Sequence, residues 1–196
     1  MTAQAIETDI PFERERDDQA WARWFARGID GLLLTPFVFI LFAAMGVLIE
    51  LGRLPPVLYE WMVQPVAAVA MELGARFLLM LLWEPLFLSN TGTTPGKWVF
   101  GIRVRRSNGD KLSLLRAVNR FLRVWLIGMG AYVPLLSLVL SLMARARLIG
   151  SGSTVWDDQL DCVVQHRQRN PLIWTLAIVL VVGVNAAVNL LARMNQ

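Results

Sequence analysis

With 196 residues, 56% of them hydrophobic and only 17% charged, the chain falls well short of the about 25% charge of soluble domains, which excludes one large water-soluble core. Leu, Val, Ala and Ile fill long blocks and arginine gathers between them, so the net charge of +4 and the pI near 10.0 report the flanks of membrane spans rather than a nucleic-acid surface. The single cysteine, Cys162, rules out an intrachain disulfide and a CxxC metal site, and the single His166 adds no ligand cluster.

Residues 1–20 are polar and mixed in charge, without the apolar run and small-residue cleavage site of a removable signal. The first span is therefore expected to be an uncleaved anchor behind a cytoplasmic N-terminus. Phe25 to Ile49 is long enough to cross the hydrocarbon core, which takes about 20 helical residues. Gly52, Pro55 and Pro56 then break the chain into an outer loop, where Tyr59 and Trp61 suit an interfacial belt. A second span from about Val66 to Leu88 returns to the starting side.

The segment KWVFGIRVRRSNGDKLS carries Val99, Ile102 and Val104 with polar alternates and then Asn108-Gly109, the pattern of a short amphipathic hairpin at the membrane surface. Ser113 is placed to cap the next helix, on which Arg116, Arg120 and Arg123 share one face. Those arginines, with Lys97, Arg103, Arg105 and Arg106, are expected to meet anionic lipid headgroups. Gly128, Gly130 and Pro134 interrupt a third apolar block, Val124 to Met143. A full crossing would put Arg145, Arg147, Arg167 and Arg169 outside against the positive-inside rule, so a bent helical hairpin is expected, with the loop from Ala144 to Asn170 cytoplasmic. Asn170 and Pro171 open a last span on which Asn185 and Asn189 share a face and can bond a neighbouring helix.

The fold class that follows is an all-α membrane protein, a bundle of three to four transmembrane segments with a small cytoplasmic β-hairpin and an amphipathic interfacial helix. Residues 1–20 form the tail, 21–165 the transmembrane domain, and 166–196 a basic linker with the last helix. The expected location is the plasma (inner) membrane. No inverted repeat is evident.

Charged residues inside apolar spans are costly and point to a site. Arg23, Arg27 and Asp30 can share a helix face. Counting at about 1.5 Å per residue puts Asp30 level with Leu82 to Glu84 of the returning span, so Arg23 or Arg27 can reach Glu84, and Arg76 is a further candidate partner for Asp30. Glu72 and Arg76, one turn apart, can also simply pair with each other. TGTTPGKW is not a phosphate-binding loop, because Thr91 and Trp98 stand where that signature needs Gly and Ser or Thr; it is a turn with Lys97 at the headgroups. In VWDDQLD, Asp157, Asp158 and Asp161 form a solvated loop with a helix cap, without the glycine and spacing of an EF-hand. Neither a metal nor another cofactor is called for, and with no nucleophile and base in view an enzyme is not expected.

RWFARGID, the two spans, TTPGKWVFGIRVRRSNGDKLSLLRAVNRFLR and WDDQL together resemble the RDD family of small integral membrane proteins. The likeness covers about residues 20 to 165. It assigns the family's arginine to Arg23, its first aspartate to Asp30 and its second to Asp158, with Asp157 as the alternative. The resemblance implies transport of a small ion or solute, cation/proton exchange in some members, by the Arg/Asp set; a monomer of so few spans would then work as a homo-oligomer. The alternative is a non-transporting subunit or scaffold whose charges lock helices and whose basic surface docks a cytoplasmic or membrane partner.

Overall fold

The computed structural model describes residues 12–167 and 171–194. Residues 1–11 of the tail, Arg169, Asn170 and the side chain of Asn189 lie outside that description. Helix α1 (Phe12–Leu33) runs into α2 (Thr35–Glu50) with a one-residue break at Leu34. The cause is Pro36, which has no N–H for the carbonyl of Leu32 four residues back. Side chains from other elements take the carbonyls at the break: Asn185 Nδ2 donates to Leu32 O at 3.1 Å, and Arg76 Nη1 to Gly31 O at 3.3 Å. Arg76 thus spends its charge on Glu72, at 2.8 Å, and on this break, and not on Asp30.

Helix α3 (Val57–Val63) occupies part of what the sequence suggests is an outer loop, since the residues after Pro56 are good enough helix formers to add two turns against α4 (Pro65–Thr91). Among the described residues two helical stretches, Asp18–Glu50 and Pro65–Thr91, are long and apolar enough to cross a membrane. Only 11% and 6% of their most apolar windows are buried within the protein, so they are not the covered core helices of a soluble domain.

The basic segment departs from the expected hairpin. After the short helix α5 (Pro95–Val99), strand β1 (Ile102–Arg106) does enter a turn at Asn108-Gly109, where Arg106 N–H donates to Asp110 O at 2.9 Å and Gly109 has φ +88. No strand follows the turn, because Ser113 Oγ accepts from Arg116 N and starts α6 (Leu114–Arg123). The partner of β1 is β2 (Cys162–His166), antiparallel, with Val104 opposite Val164. Local turn chemistry loses to burial here: Leu88, Val104, Leu112, Ala117 and Cys162 form one buried cluster.

Beyond α6 the third apolar block is broken, as its glycines suggest. A π-helical turn (Val124–Gly128) and a 3-10 turn (Gly130–Tyr132) lead to Val133, and Pro134 opens α7 (Pro134–Ser151). Ser141 Oγ donates back to Gly128 O at 3.3 Å across the bend. Helix α7 runs eight residues past Met143, so the expected loop from Ala144 begins as helix and continues through α8 (Val155–Gln159) and β2. Strand β2 also crosses the boundary drawn at residue 166, before α9 (Pro171–Met194), which packs Val181 against Ile29 and Val99.

The chain contains an internal repeat. Gly92 and Gly152, 60 residues apart, end α4 and α7 with φ +76 and +79, and their N–H groups donate to Leu88 O and Leu148 O. Thr91 and Ser151 each bond the carbonyls four residues back and two ahead. Thr94 and Thr154 then open α5 and α8, and Gly101 and Asp161, both at positive φ, lead into β1 and β2. Val104 pairs with Val164, its own equivalent, and the flanking pairs Arg103–Gln165 and Arg105–Val163 exchange under the same 60-residue offset, which is the register a pseudo-two-fold axis through the central pair requires. The helices follow: α1 packs on α5 and α7, and α6 on α8 and α4. Both long helices, α4 and α7, thus end at the same sheet.

Candidate functional site

The charged side chains gather where the two halves meet. Asp30, on α1, is received by the TTPGK turn. Thr94 Oγ1 donates to its Oδ2, Gly96 N–H donates to Oδ1 at 2.8 Å, and Lys97 Nζ stands 3.9 Å from Oδ2. Gly96 is fixed by this approach: a Cβ there would lie 2.1 Å from Ala26 O and 2.9 Å from Asp30 Cγ. Thr94 also accepts from Lys97 N, capping α5, so one hydroxyl serves both the cap and the carboxylate.

Glu84 lies beneath Asp30 on α4 and is 2% exposed. Its Oε1 accepts from Lys97 Nζ at 2.9 Å, Arg120 Nη1 at 3.4 Å and Arg27 Nη2 at 3.5 Å. Arg120 continues to the second half, where its Nε donates to Asp157 Oδ1 at 2.8 Å. Asp157 Oδ2 accepts from Thr154 Oγ1 at 2.8 Å and from Arg23 Nη1 at 3.4 Å. Arg23 Nε finally donates to His166 Nε2 at 3.2 Å. An accepting Nε2 means a neutral imidazole. Burial first, and then the Arg23 charge, hold the His166 pKa down from 6.5 to about 4.

Among the described residues, four cations, Arg23, Arg27, Lys97 and Arg120, thus surround three carboxylates, Asp30, Glu84 and Asp157, with one positive charge in excess. Each carboxylate side chain is at most 3% exposed and has both a cation and, for Asp30 and Asp157, a hydroxyl. Equivalent positions of the repeat carry opposite charge, Lys97 and Asp157 each following their threonine by three residues. The inversion lets Arg120 bridge the halves instead of facing two like charges.

Arg23 and Asp30 do enter one cluster, but they are not partners: Arg23 pairs with Asp157 and Asp30 with Thr94, Gly96 and Lys97. Asp158 stays out, its side chain 45% exposed and 3.0 Å from Arg147. Lys97 and Arg120, expected at the headgroups, are 7% and 4% exposed because the carboxylates of other elements draw them in. Arg123 bonds Asn119 and Gln159, Arg106 stands 4.0 Å from Asp161, and Arg103 is exposed on β1. Arg116 and Arg105 are half-buried, the latter against Gly92.

The sequence model of the RDD family matches residues 18–159, most of the chain and every charged residue of the cluster, while the neutral His166 lies beyond the match. The chain belongs to the RDD family. No curated protein matches it, and no solved structure does. In this RDD protein, Asp157 is the aspartate that touches Arg23, so of the two neighbouring candidates it is the one built into the cluster. A cavity of about 280 Å³ adjoins the cluster and is lined by Arg23, Arg27, Lys97, Arg120 and the central strand pair Val104 and Val164.

Proposed function

We propose that this RDD protein is a non-transporting membrane subunit or scaffold, in which the Arg/Asp set clamps the two halves of the repeat and holds the basic sheet at the cytoplasmic face of the inner membrane. One observation carries the reading: no carboxylate of the set lines the cavity, and each is fixed by cations and hydrogen bonds from a different element. A cation/proton exchanger needs a carboxylate that a hydrated ion can reach and that can give up its fixed partners. Buried ion pairs specify one arrangement of helices better than they add stability, which suits a registration device.

The orientation follows from charge. Helices α4 and α7 end at the same sheet, and that side carries Arg103, Arg105, Arg106, Lys111, Arg116, Arg145 and Arg147. The positive-inside rule makes it cytoplasmic and makes the bend at Met129–Val133 the far end of a helical hairpin. Anionic lipid and a cytoplasmic partner would both meet this basic layer.

The carrier reading has one observation in its favour, a cavity at a repeat interface, where many carriers bind their substrates. Reconstitution in proteoliposomes with a pH-sensitive dye and a panel of cations separates the two. The scaffold reading expects the proton leak of protein-free vesicles for every cation; cation-dependent flux abolished by Asp30→Asn would overturn it.

A further inference from the structure

The cavity's lining is one-sided in charge. Arg23, Arg27, Lys97, Arg120 and Arg145 contribute to it, and among the described residues no carboxylate does. The cluster's three carboxylates lie behind these cations, one charge short of neutralising the four that hold them. The cluster contacts of Arg23 and Arg120 run through Nε and Nη1, and none of those contacts uses Nη2. Excess positive charge and guanidinium edges beside a cavity suit a phosphate monoanion or diester, which arginine recognises through paired N–H donors.

The rest of the wall is apolar. Val104, Val124, Leu148, Trp156 and Val164 line the interior. At the rim stand Leu138, Leu142 and Trp24, 59%, 53% and 58% exposed. These rim residues lie on α7 and α1, whose neighbouring exposed faces are also apolar, so in a bilayer the opening would face acyl chains. A volume of about 280 Å³ is at the bottom of the range for a complete small-molecule ligand, near 300 Å³. It admits a headgroup and the first carbons of a chain, with the remainder left in the bilayer.

We propose that this cavity, on the pseudo-two-fold axis under Val104 and Val164, binds the phosphate headgroup of an anionic phospholipid. The inference goes beyond the scaffold reading and does not depend on it, because a carrier could hold the same headgroup. Basic pockets between membrane helices on the cytoplasmic side are the setting in which such headgroups are held.

The test uses the full-length protein purified in a zwitterionic detergent, with phosphatidylglycerol, phosphatidylcholine or inorganic phosphate added separately. Two readouts are taken, the thermal unfolding midpoint and the lipid retained after gel filtration. Phosphatidylglycerol should raise the midpoint and be retained about tenfold over phosphatidylcholine, a preference of the size one well-formed charged contact supplies. Inorganic phosphate should do neither. Leu138→Trp and Leu142→Trp, which fill the rim without touching the clamp, should lose the preference, while Leu135→Trp, on the same helix, 81% exposed and not part of the lining, should keep it. Equal retention of the two lipids overturns the proposal. So does an equal response to inorganic phosphate, which would mark a free-anion site, or an undiminished phosphatidylglycerol preference in both rim variants.

Discussion

Replacing Arg120 by methionine keeps most of the aliphatic stem and removes only the guanidinium that spans the two halves. Asp157 then loses its nearest cation, at 2.8 Å, and keeps Arg23 at 3.4 Å and the Thr154 hydroxyl at 2.8 Å. Glu84 is less affected, because Lys97 at 2.9 Å and Arg27 at 3.5 Å remain. Removing one partner of a buried pair costs about 3–5 kcal/mol, and the remaining contacts put this variant near the lower end. For a chain of this size about 3 kcal/mol lowers the midpoint by roughly 6–12 °C. Asp157→Asn in the Arg120→Met background should restore part of the loss, with a coupling energy of about 1–3 kcal/mol. Arg123→Met, whose partners Asn119 and Gln159 are neutral, is the control and should cost about 0.5 kcal/mol or less. Thermal unfolding in detergent, followed by tryptophan fluorescence and gel filtration, reads these three variants, with Asp157→Asn alone completing the cycle, against the native protein. If Arg120→Met unfolds with Arg123→Met, the cluster does not hold the halves together.

Gly96→Ala forces a Cβ to 2.1 Å from Ala26 O and should cost at least about 1–3 kcal/mol, whereas Gly150→Ala, with nothing within 4 Å, should be tolerated; the two unfolding midpoints check this. His166 titrates near 6.5 when unfolded and about 4 when folded, so the unfolded chain binds the extra proton first. Its contribution to stability is complete above 6.5 and is lost as pH falls toward 4, and unfolding curves across that window should flatten in His166→Gln. Cys162 is 8% exposed and burial pushes its thiol upward, so the native protein should react slowly with maleimide at neutral pH. Against that background Ser151→Cys should be labelled from the cytoplasmic side only, and labelling by an impermeant reagent from outside would refute the hairpin orientation.

The spans were legible in the sequence because length and apolarity alone decide them, and the Ser113 cap because it acts within one turn. Contacts between distant residues left weaker traces. The TTPGK turn reads as a turn, and its role as the receptor of Asp30 spans more than 60 residues and follows from no local pattern. The face shared by Arg116, Arg120 and Arg123 suggests headgroups only on the assumption that charge faces water, and Arg120 breaks it because Glu84 and Asp157 meet it from other elements. Asn108-Gly109 signals a hairpin correctly as a turn, but the apolar face of Cys162 to His166 decides the pairing. The repeat had a visible signature in Thr91-Gly92-Thr93-Thr94 and Ser151-Gly152-Ser153-Thr154. Opposite charges three residues after each final threonine hide it from a comparison of side chains.

The most direct test of the clamp is Asp30→Asn, with membrane abundance and unfolding midpoint measured together. In the native protein Asp30 accepts from the Thr94 hydroxyl and the Gly96 N–H and faces Lys97 at 3.9 Å. Asparagine offers one accepting oxygen and two N–H donors to that set, so one donor is left facing another and Lys97 loses a counter-charge. The account predicts a lower midpoint and reduced abundance. Asp30→Asn that accumulates and unfolds as the native protein does would contradict it and return the Arg/Asp set to a role in proton exchange.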